Sequence, residues 1–188
     1  ADLPEEGFDE HAAGCARVAG MNATKKHNAI VQFLCALCDK AGLNHAAEPR
    51  DLQAFVCNRC GANVLARNRP EHERACSNRF ARTGPDLRIF WPDGQSVLYD
   101  VTVAHKTAPS FRDQRPSKIT KDKSDAKKKF YAPILGDEPF VVLAARALGY
   151  IEAPFRRLVR ELCEIAEILP KDALEELSVV LARGVGLS

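Results

Sequence analysis

Two aspartates in this 188-residue chain have the type and spacing that metal chemistry needs. Pro85-Asp86 is followed, after thirteen residues, by Asp100, and between them lies Trp91-Pro92-Asp93-Gly94-Gln95. Runs rich in β-branched, aromatic and aliphatic residues flank the Pro-Asp-Gly, which predicts a β-hairpin over residues 85–106. A three-residue loop at 92–94 needs a left-handed residue at its end, and Gly94 supplies one. Trp91 then faces Gln95, and counting back sets Asp86 opposite Asp100 on one face of the sheet. A two-residue Asp-Gly turn would slip the register by one and separate the acids. Two opposed carboxylates repel, and a hard divalent cation turns that cost into a site. The plainer alternative is two aspartates solvated separately at strand ends.

A second group suits a softer metal. Cys57-Asn58-Arg59-Cys60 is followed by eleven residues, His72, three residues and Cys76. Two thiolates on a tight knuckle, with a histidine and a cysteine on a following helical turn, fit tetrahedral zinc. Gly61 suits the knuckle's turn. All four ligands come from the protein, so such a site is closed and structural. The alternative is three free thiols and an unrelated histidine. The seven cysteines are an odd number. That argues against a secreted disulfide framework and for metal-bound thiols in a reducing compartment. His11 and Cys15 are half of another zinc site only if further ligands precede Ala1. Cys35 and Cys38 have CxxC spacing but fall inside a helix, so they read as core cysteines.

The net charge of +2 hides two cationic stretches. Residues 112–129 hold eight basic and three acidic side chains, and residues 50–82 hold seven arginines. Both can follow a phosphate backbone, although a solvated face explains any single charge run as well.

These groups must be held by a fold. Asn22 or Thr24 caps a helix to about Ala41, with Ile30, Val31, Phe33, Leu34, Leu37 and Cys38 as its apolar stripe. Lys26, His27 and Asn28 then sit in its first turn, where amides and side chains meet a phosphate. Residues 43–47 are extended and lead to Glu48-Pro49, a third carboxylate one strand from the hairpin. On the hairpin, Leu87, Ile89, Val97, Tyr99, Val101 and Val103 form the core face. A polar loop (108–117) precedes a basic helix (119–132) that carries Lys121, Lys123, Lys127, Lys128 and Tyr131. Lys127 and Tyr131 share a face at i, i+4. A buried strand (139–145) and two amphipathic helices (155–169 and 171–183, broken at Pro170, with Cys163 in the core) complete the chain. The order predicts an α/β domain over 1–188: a mixed central sheet flanked by helices, with a zinc-binding subdomain inserted at 55–80. No run of about 18 apolar residues and no signal-peptide pattern is present, so no membrane partner is expected. The missing initial methionine leads to the expectation of a fragment.

Pro85-Asp86, Asp100 and a downstream lysine resemble the PD-(D/E)xK restriction-endonuclease-like superfamily. A longer string is more specific: His11…Cys15, Lys26-His27-Asn28, Glu48-Pro49, Pro85-Asp86, Asp100-Val101-Thr102-Val103-Ala104-His105 and Lys127…Tyr131. It occurs in the order seen in restriction-like endonuclease domains of site-specific non-LTR retrotransposons, and it covers residues 8–155. Thr102 departs from the pattern, because the superfamily's lysine usually stands there. In the retrotransposon group the following helix supplies it, which makes Lys127 the first choice, Lys128 the second and Lys106 the third. The zinc insert has no counterpart in the minimal nuclease fold, though cysteine-rich zinc motifs accompany these endonucleases in retroelements.

The resemblance implies a DNA endonuclease in which Asp86, Asp100 and the Val101 carbonyl bind Mg²⁺ or Mn²⁺. It implies that Glu48 assists, a lysine orients the attacking water, and Tyr131 positions that lysine or a phosphate. It implies a cut leaving a 3′-hydroxyl to prime reverse transcription, duplex DNA as partner, a reverse transcriptase and its RNA alongside, and a nuclear location. Lys26, His27, Asn28, Lys121, Lys123 and the insert would grip the DNA. Two other readings compete: a non-catalytic nucleic-acid-binding module on a decayed nuclease fold, and a junction-resolvase-like nuclease. The intact acids disfavour the first of these.

Overall fold

The computed structural model describes residues 16–49, 54–65, 68–76, 80–104, 115–146 and 149–183. In chain order they form α1 (Ala16–Lys40), β1 (His45–Ala47), β2 (Ala54–Cys57), β3 (Asn63–Leu65), α2 (Arg69–Ala75), β4 (Phe80–Thr83), β5 (Leu87–Phe90), β6 (Ser96–Ala104), α3 (Pro116–Leu135), β7 (Phe140–Arg146), α4 (Ala153–Ile165) and α5 (Pro170–Arg183). The central sheet has the order β1-β5-β6-β7, and a smaller sheet has the order β3-β2-β4. Only β6 and β7 run parallel among the described strand pairs. Parallel neighbours need a long crossover, and α3 lies in it.

The hairpin closes on the three-residue loop and not on the two-residue turn. The Trp91 N–H donates to the Gln95 carbonyl at 2.8 Å, and the Gly94 N–H donates to the Trp91 carbonyl at 3.0 Å. Gly94 has φ 84°, a conformation open to glycine and costly for most other residues. The resulting register pairs Ile89 with Val97 and Leu87 with Tyr99. Leu87, Ile89, Tyr99 and Val101 are buried against α1, α4 and α5, with Val97 and Val103 packed at the margin. In α4, Phe155, Leu158, Val159 and Leu162 fall on one stripe and are buried. Each such side chain contributes about 1.5–3 kcal/mol of hydrophobic stabilisation. The other sheet face is covered too: Leu98 is buried with Tyr131 and Leu135 of α3. The central sheet is therefore mixed and flanked by helices on both faces.

Several boundaries differ from expectation. α1 begins at Ala16, before the expected cap at Asn22 or Thr24, and runs through Gly20. One glycine costs a helix about 1 kcal/mol, too little to end it once the rest packs. Lys26, His27 and Asn28 therefore lie well inside α1, where the amides are already hydrogen-bonded, and not in a first turn. α3 continues through Pro133 to Leu135. Pro170 starts α5 and does not itself form the break, because the first turn of a helix needs no N–H from it. The insert's sheet begins at Ala54 and reaches Thr83, beyond residue 80. His11, Cys15 and Lys106 lie outside the described residues. No helix among the described residues is long and apolar enough to cross a membrane.

Candidate functional site

The acids gather where two ladders end. β1 pairs Ala47 with Leu87, and β5 pairs Leu87 with Tyr99. One step further out stand Glu48, Asp86 and Asp100. The Glu48 N–H donates to the Asp86 carbonyl at 2.8 Å, and the Asp86 N–H donates to the Tyr99 carbonyl at 2.9 Å. The regular ladder would next set Pro85 against Val101, but proline has no N–H to give. Instead the Asp86 carboxylate enters the gap, and its Oδ2 accepts the Val101 N–H at 2.6 Å. In a strand, the N–H and C=O of one residue point the same way, so the Val101 carbonyl faces this gap as well. Glu48 is left-handed at φ 47°, an uncommon conformation for a non-glycine residue. Strain of this kind costs on the order of 1–3 kcal/mol and gathers at functional sites.

Asp100 is only 2 % exposed at its side chain, because α3 lies over its strand. Lys127 Nζ donates to Asp100 Oδ1 at 3.1 Å, and the same ammonium sits 5.6 Å from the centre of the Tyr131 ring. Asp100 Oδ2 is buried and has no partner at hydrogen-bond geometry among the described residues; the Tyr131 hydroxyl, near enough to act on its charge, donates to the Gly84 carbonyl instead. Burial pushes the Asp100 carboxyl up to about 6; the Lys127 charge pulls it back and the Asp86 charge adds to the rise.

Asp86 is divided in the same way. Its Oδ2 takes both the Val101 N–H and His27 Nε2, the latter at 3.0 Å. Its Oδ1 has no partner among the described residues. The bond to Asp86 holds the His27 imidazole above its ordinary value, partly offset by burial. Each aspartate thus has one committed and one uncommitted oxygen. Both line a cleft of about 320 Å³ with Glu48, Gly84, Lys127 and Tyr131. A buried carboxylate oxygen without a partner is costly, and a hard cation with oxygen ligands relieves that cost. An oxygen-only donor set of this kind suits a hard cation.

Tyr131 is buried, and its hydroxyl donates to the Gly84 carbonyl at 2.7 Å with Thr83 Oγ1 at 3.2 Å. It therefore ties down the segment that leads into Asp86. A phenol so committed does not reach out to a phosphate; its contact with Lys127 is through the ring face. Lys128 is exposed and its charge acts on Glu152, not on Asp100. Lys121 and Lys123 are exposed on α3. Lys26 is buried, its ammonium has no partner among the described residues, and burial lowers its pKa. It offers no surface contact to a phosphate. Asn28 is exposed and its Oδ1 lies 3.2 Å from His27 Nδ1.

The second cluster is on the small sheet. Cys57 ends β2, and the Gly61 N–H returns to the Cys57 carbonyl at 2.9 Å with Gly61 at φ 73°. That turn brings Cys60 back beside Cys57. His72 sits on α2, and the Cys76 N–H caps the His72 carbonyl at 2.8 Å. The four ligand atoms of Cys57, Cys60, His72 and Cys76 lie within 4.8 Å of one another, close enough to hold one ion. Their softness suits zinc. The backbone N–H of Cys60 holds the Cys57 thiol down to about 6, and burial pushes Cys76 up to about 11. Three arginines of the insert are used internally: Arg59 bonds the Cys76 carbonyl at 2.7 Å, Arg69 bonds Glu73 at 2.6 Å, and Arg74 bonds the Pro70 carbonyl at 3.3 Å. Cys35 and Cys38 lie in α1, where burial raises both thiols, with Cys38 pushed up to about 12.

No protein-family model and no curated protein matches this chain. Sequence reasoning missed the hydroxyl tether from Tyr131 to Thr83 and Gly84, since nothing in the spacing of residues so far apart announces it. It also missed the reach of His27 to Asp86, which depends on where α1 packs against the sheet.

Proposed function

We propose that this chain is a metal-dependent DNA endonuclease on a restriction-endonuclease-like core. The observation that carries the reading is the pairing of two carboxylates, each with one uncommitted oxygen, with a lysine ammonium 3.1 Å from Asp100. Asp86, Asp100 and the Val101 carbonyl would hold Mg²⁺ or Mn²⁺, with Glu48 beside them. When bound, such an ion supplies Lewis acidity and a water of lowered pKa. Lys127 is half-exposed at the rim of the cleft, so its ammonium can orient a water and offset charge growing on a phosphate. It takes the place of the lysine that Thr102 lacks. Tyr131 holds the Lys127 ammonium over its ring and fixes the turn before Asp86. The cluster of Cys57, Cys60, His72 and Cys76 would bind a structural zinc that stabilises the insert.

In keeping with the resemblance, the cut would leave a 3′-hydroxyl for reverse transcription by a retroelement, in the nucleus, with a reverse transcriptase and its RNA as partners. Lys121, Lys123 and Asn28 remain on the surface where a duplex could lie. The test is nicking of supercoiled plasmid by the zinc-loaded protein, with and without Mg²⁺. Wild type should nick only with the ion, and Asp86→Ala and Asp100→Ala should not nick at all. Binding without any cleavage, in wild type and variants alike, would favour the decayed-module reading. Cleavage confined to branched DNA would favour the resolvase-like one.

A further inference from the structure

We propose that His27 is a positioning residue for Asp86, and through it for the divalent ion, an inference that rests on the metal-dependent reading above. The sequence placed His27 at a helix start, facing a phosphate. In the fold, α1 runs past that point and aims the imidazole at the acid cluster. His27 Nε2 stands 3.0 Å from Asp86 Oδ2, the same oxygen that accepts the Val101 N–H at 2.6 Å. Two donors on one oxygen fill it. The carboxylate is then oriented from both sides, by a backbone amide of β6 and by a side chain of α1. Oδ1 is left as the oxygen that can turn to the cleft. Asp100 is partitioned in the same sense, with Lys127 on Oδ1 and Oδ2 uncommitted.

The ring is itself held. Asn28 Oδ1 lies 3.2 Å from His27 Nδ1, so the imidazole bridges an amide oxygen and the carboxylate. A rotating carboxylate offers the ion two half-used oxygens; a fixed one offers a single pre-aimed donor. Removing a group that orients a metal ligand typically weakens metal affinity 10–100-fold.

The test reads metal binding directly. Mn²⁺ is titrated into the zinc-loaded 188-residue chain and followed by electron paramagnetic resonance, beside DNA binding measured without divalent ions. His27→Ala should raise the Mn²⁺ dissociation constant about tenfold. His27→Gln keeps an N–H near the Nε2 position and should recover most of that loss. DNA affinity of the metal-free protein should stay within twofold of wild type for both. Unchanged Mn²⁺ affinity in His27→Ala overturns the inference, and so does a loss confined to metal-free DNA binding, which would make His27 a phosphate contact. An equal loss in the Gln variant also overturns it, because packing and not the hydrogen bond would then be at work. Asp86→Ala separates this from the larger reading: if wild type and Asp86→Ala bind Mn²⁺ alike, no ion uses Asp86 and the metal-dependent proposal fails first.

Discussion

Asp100→Asn should remove one residue's contribution to the pH dependence of stability. The Asp100 side chain is 2 % exposed, and its carboxyl titrates at about 6 in the folded chain against an ordinary 3.8. A rise of that size corresponds to about 3 kcal/mol of destabilisation once the group is fully ionised. The folded protein keeps this proton up to about pH 6, whereas the unfolded chain releases it near 3.8. Between those values the folded state binds more protons, so stability falls as pH rises and the loss is complete above the folded value. Of the total, about 1.4 kcal/mol falls between about pH 5 and pH 7.5. Asparagine has nearly the same shape and stays neutral throughout. The difference in unfolding free energy between Asp100→Asn and wild type should therefore grow by about that amount over the same range. The assay is urea unfolding of both proteins, zinc-loaded, in buffer free of other divalent ions. Groups that do not feel the Asp100 charge cancel in the difference, and making His27→Gln in both proteins removes an imidazole that does. Mg²⁺ at ten times its dissociation constant should then stabilise wild type alone, by about 1.4 kcal/mol. A difference that is flat with pH would refute the reasoning, since it would mean that Asp100 ionises as freely in the folded protein as in the unfolded chain.

Lys127→Ala should lower the cleavage rate at saturating DNA by about 10²-fold or more, as loss of one charge-stabilising group does. Lys128→Ala, near Glu152, should act only on DNA affinity and be rescued at low salt, which rate and affinity measured separately will decide. Tyr131→Phe leaves the Gly84 carbonyl and Thr83 hydroxyl without their partner, and should cost about 1–3 kcal/mol in urea unfolding. Elemental analysis should find about one zinc per chain, lost on changing Cys57 or Cys76 to serine. A zinc-free wild type with unchanged circular dichroism and melting would remove the structural role.

Local chemistry carries only the parts of this protein that depend on neighbours in sequence. Pro92-Asp93-Gly94 narrows the turn to a three-residue loop or a two-residue Asp-Gly, and loop length fixes hairpin register, so the approach of Asp86 to Asp100 was one of two legible outcomes, decided by the register that formed. The grouping of Cys57, Cys60, His72 and Cys76 was legible for a similar reason: a knuckle and one helical turn are short-range structures with fixed reach. The mixed sheet followed from the order of periodic segments. Tertiary packing decided the rest. Lys127 was singled out in the sequence by its face with Tyr131, but its 3.1 Å approach to Asp100 depends on α3 crossing β6. The same crossing buries Asp100 and sets its high pKa, which no count along the chain reports. Lys26 reads as a surface cation and is buried, because it stands one turn before Ile30 on the face of α1 that packs into the core. His27 meets Asp86 only because α1 packs beside the end of the β5–β6 ladder. Helix starts and inter-element packing reflect the sum of many small long-range terms, which is why the cap expected at Asn22 or Thr24 falls inside α1.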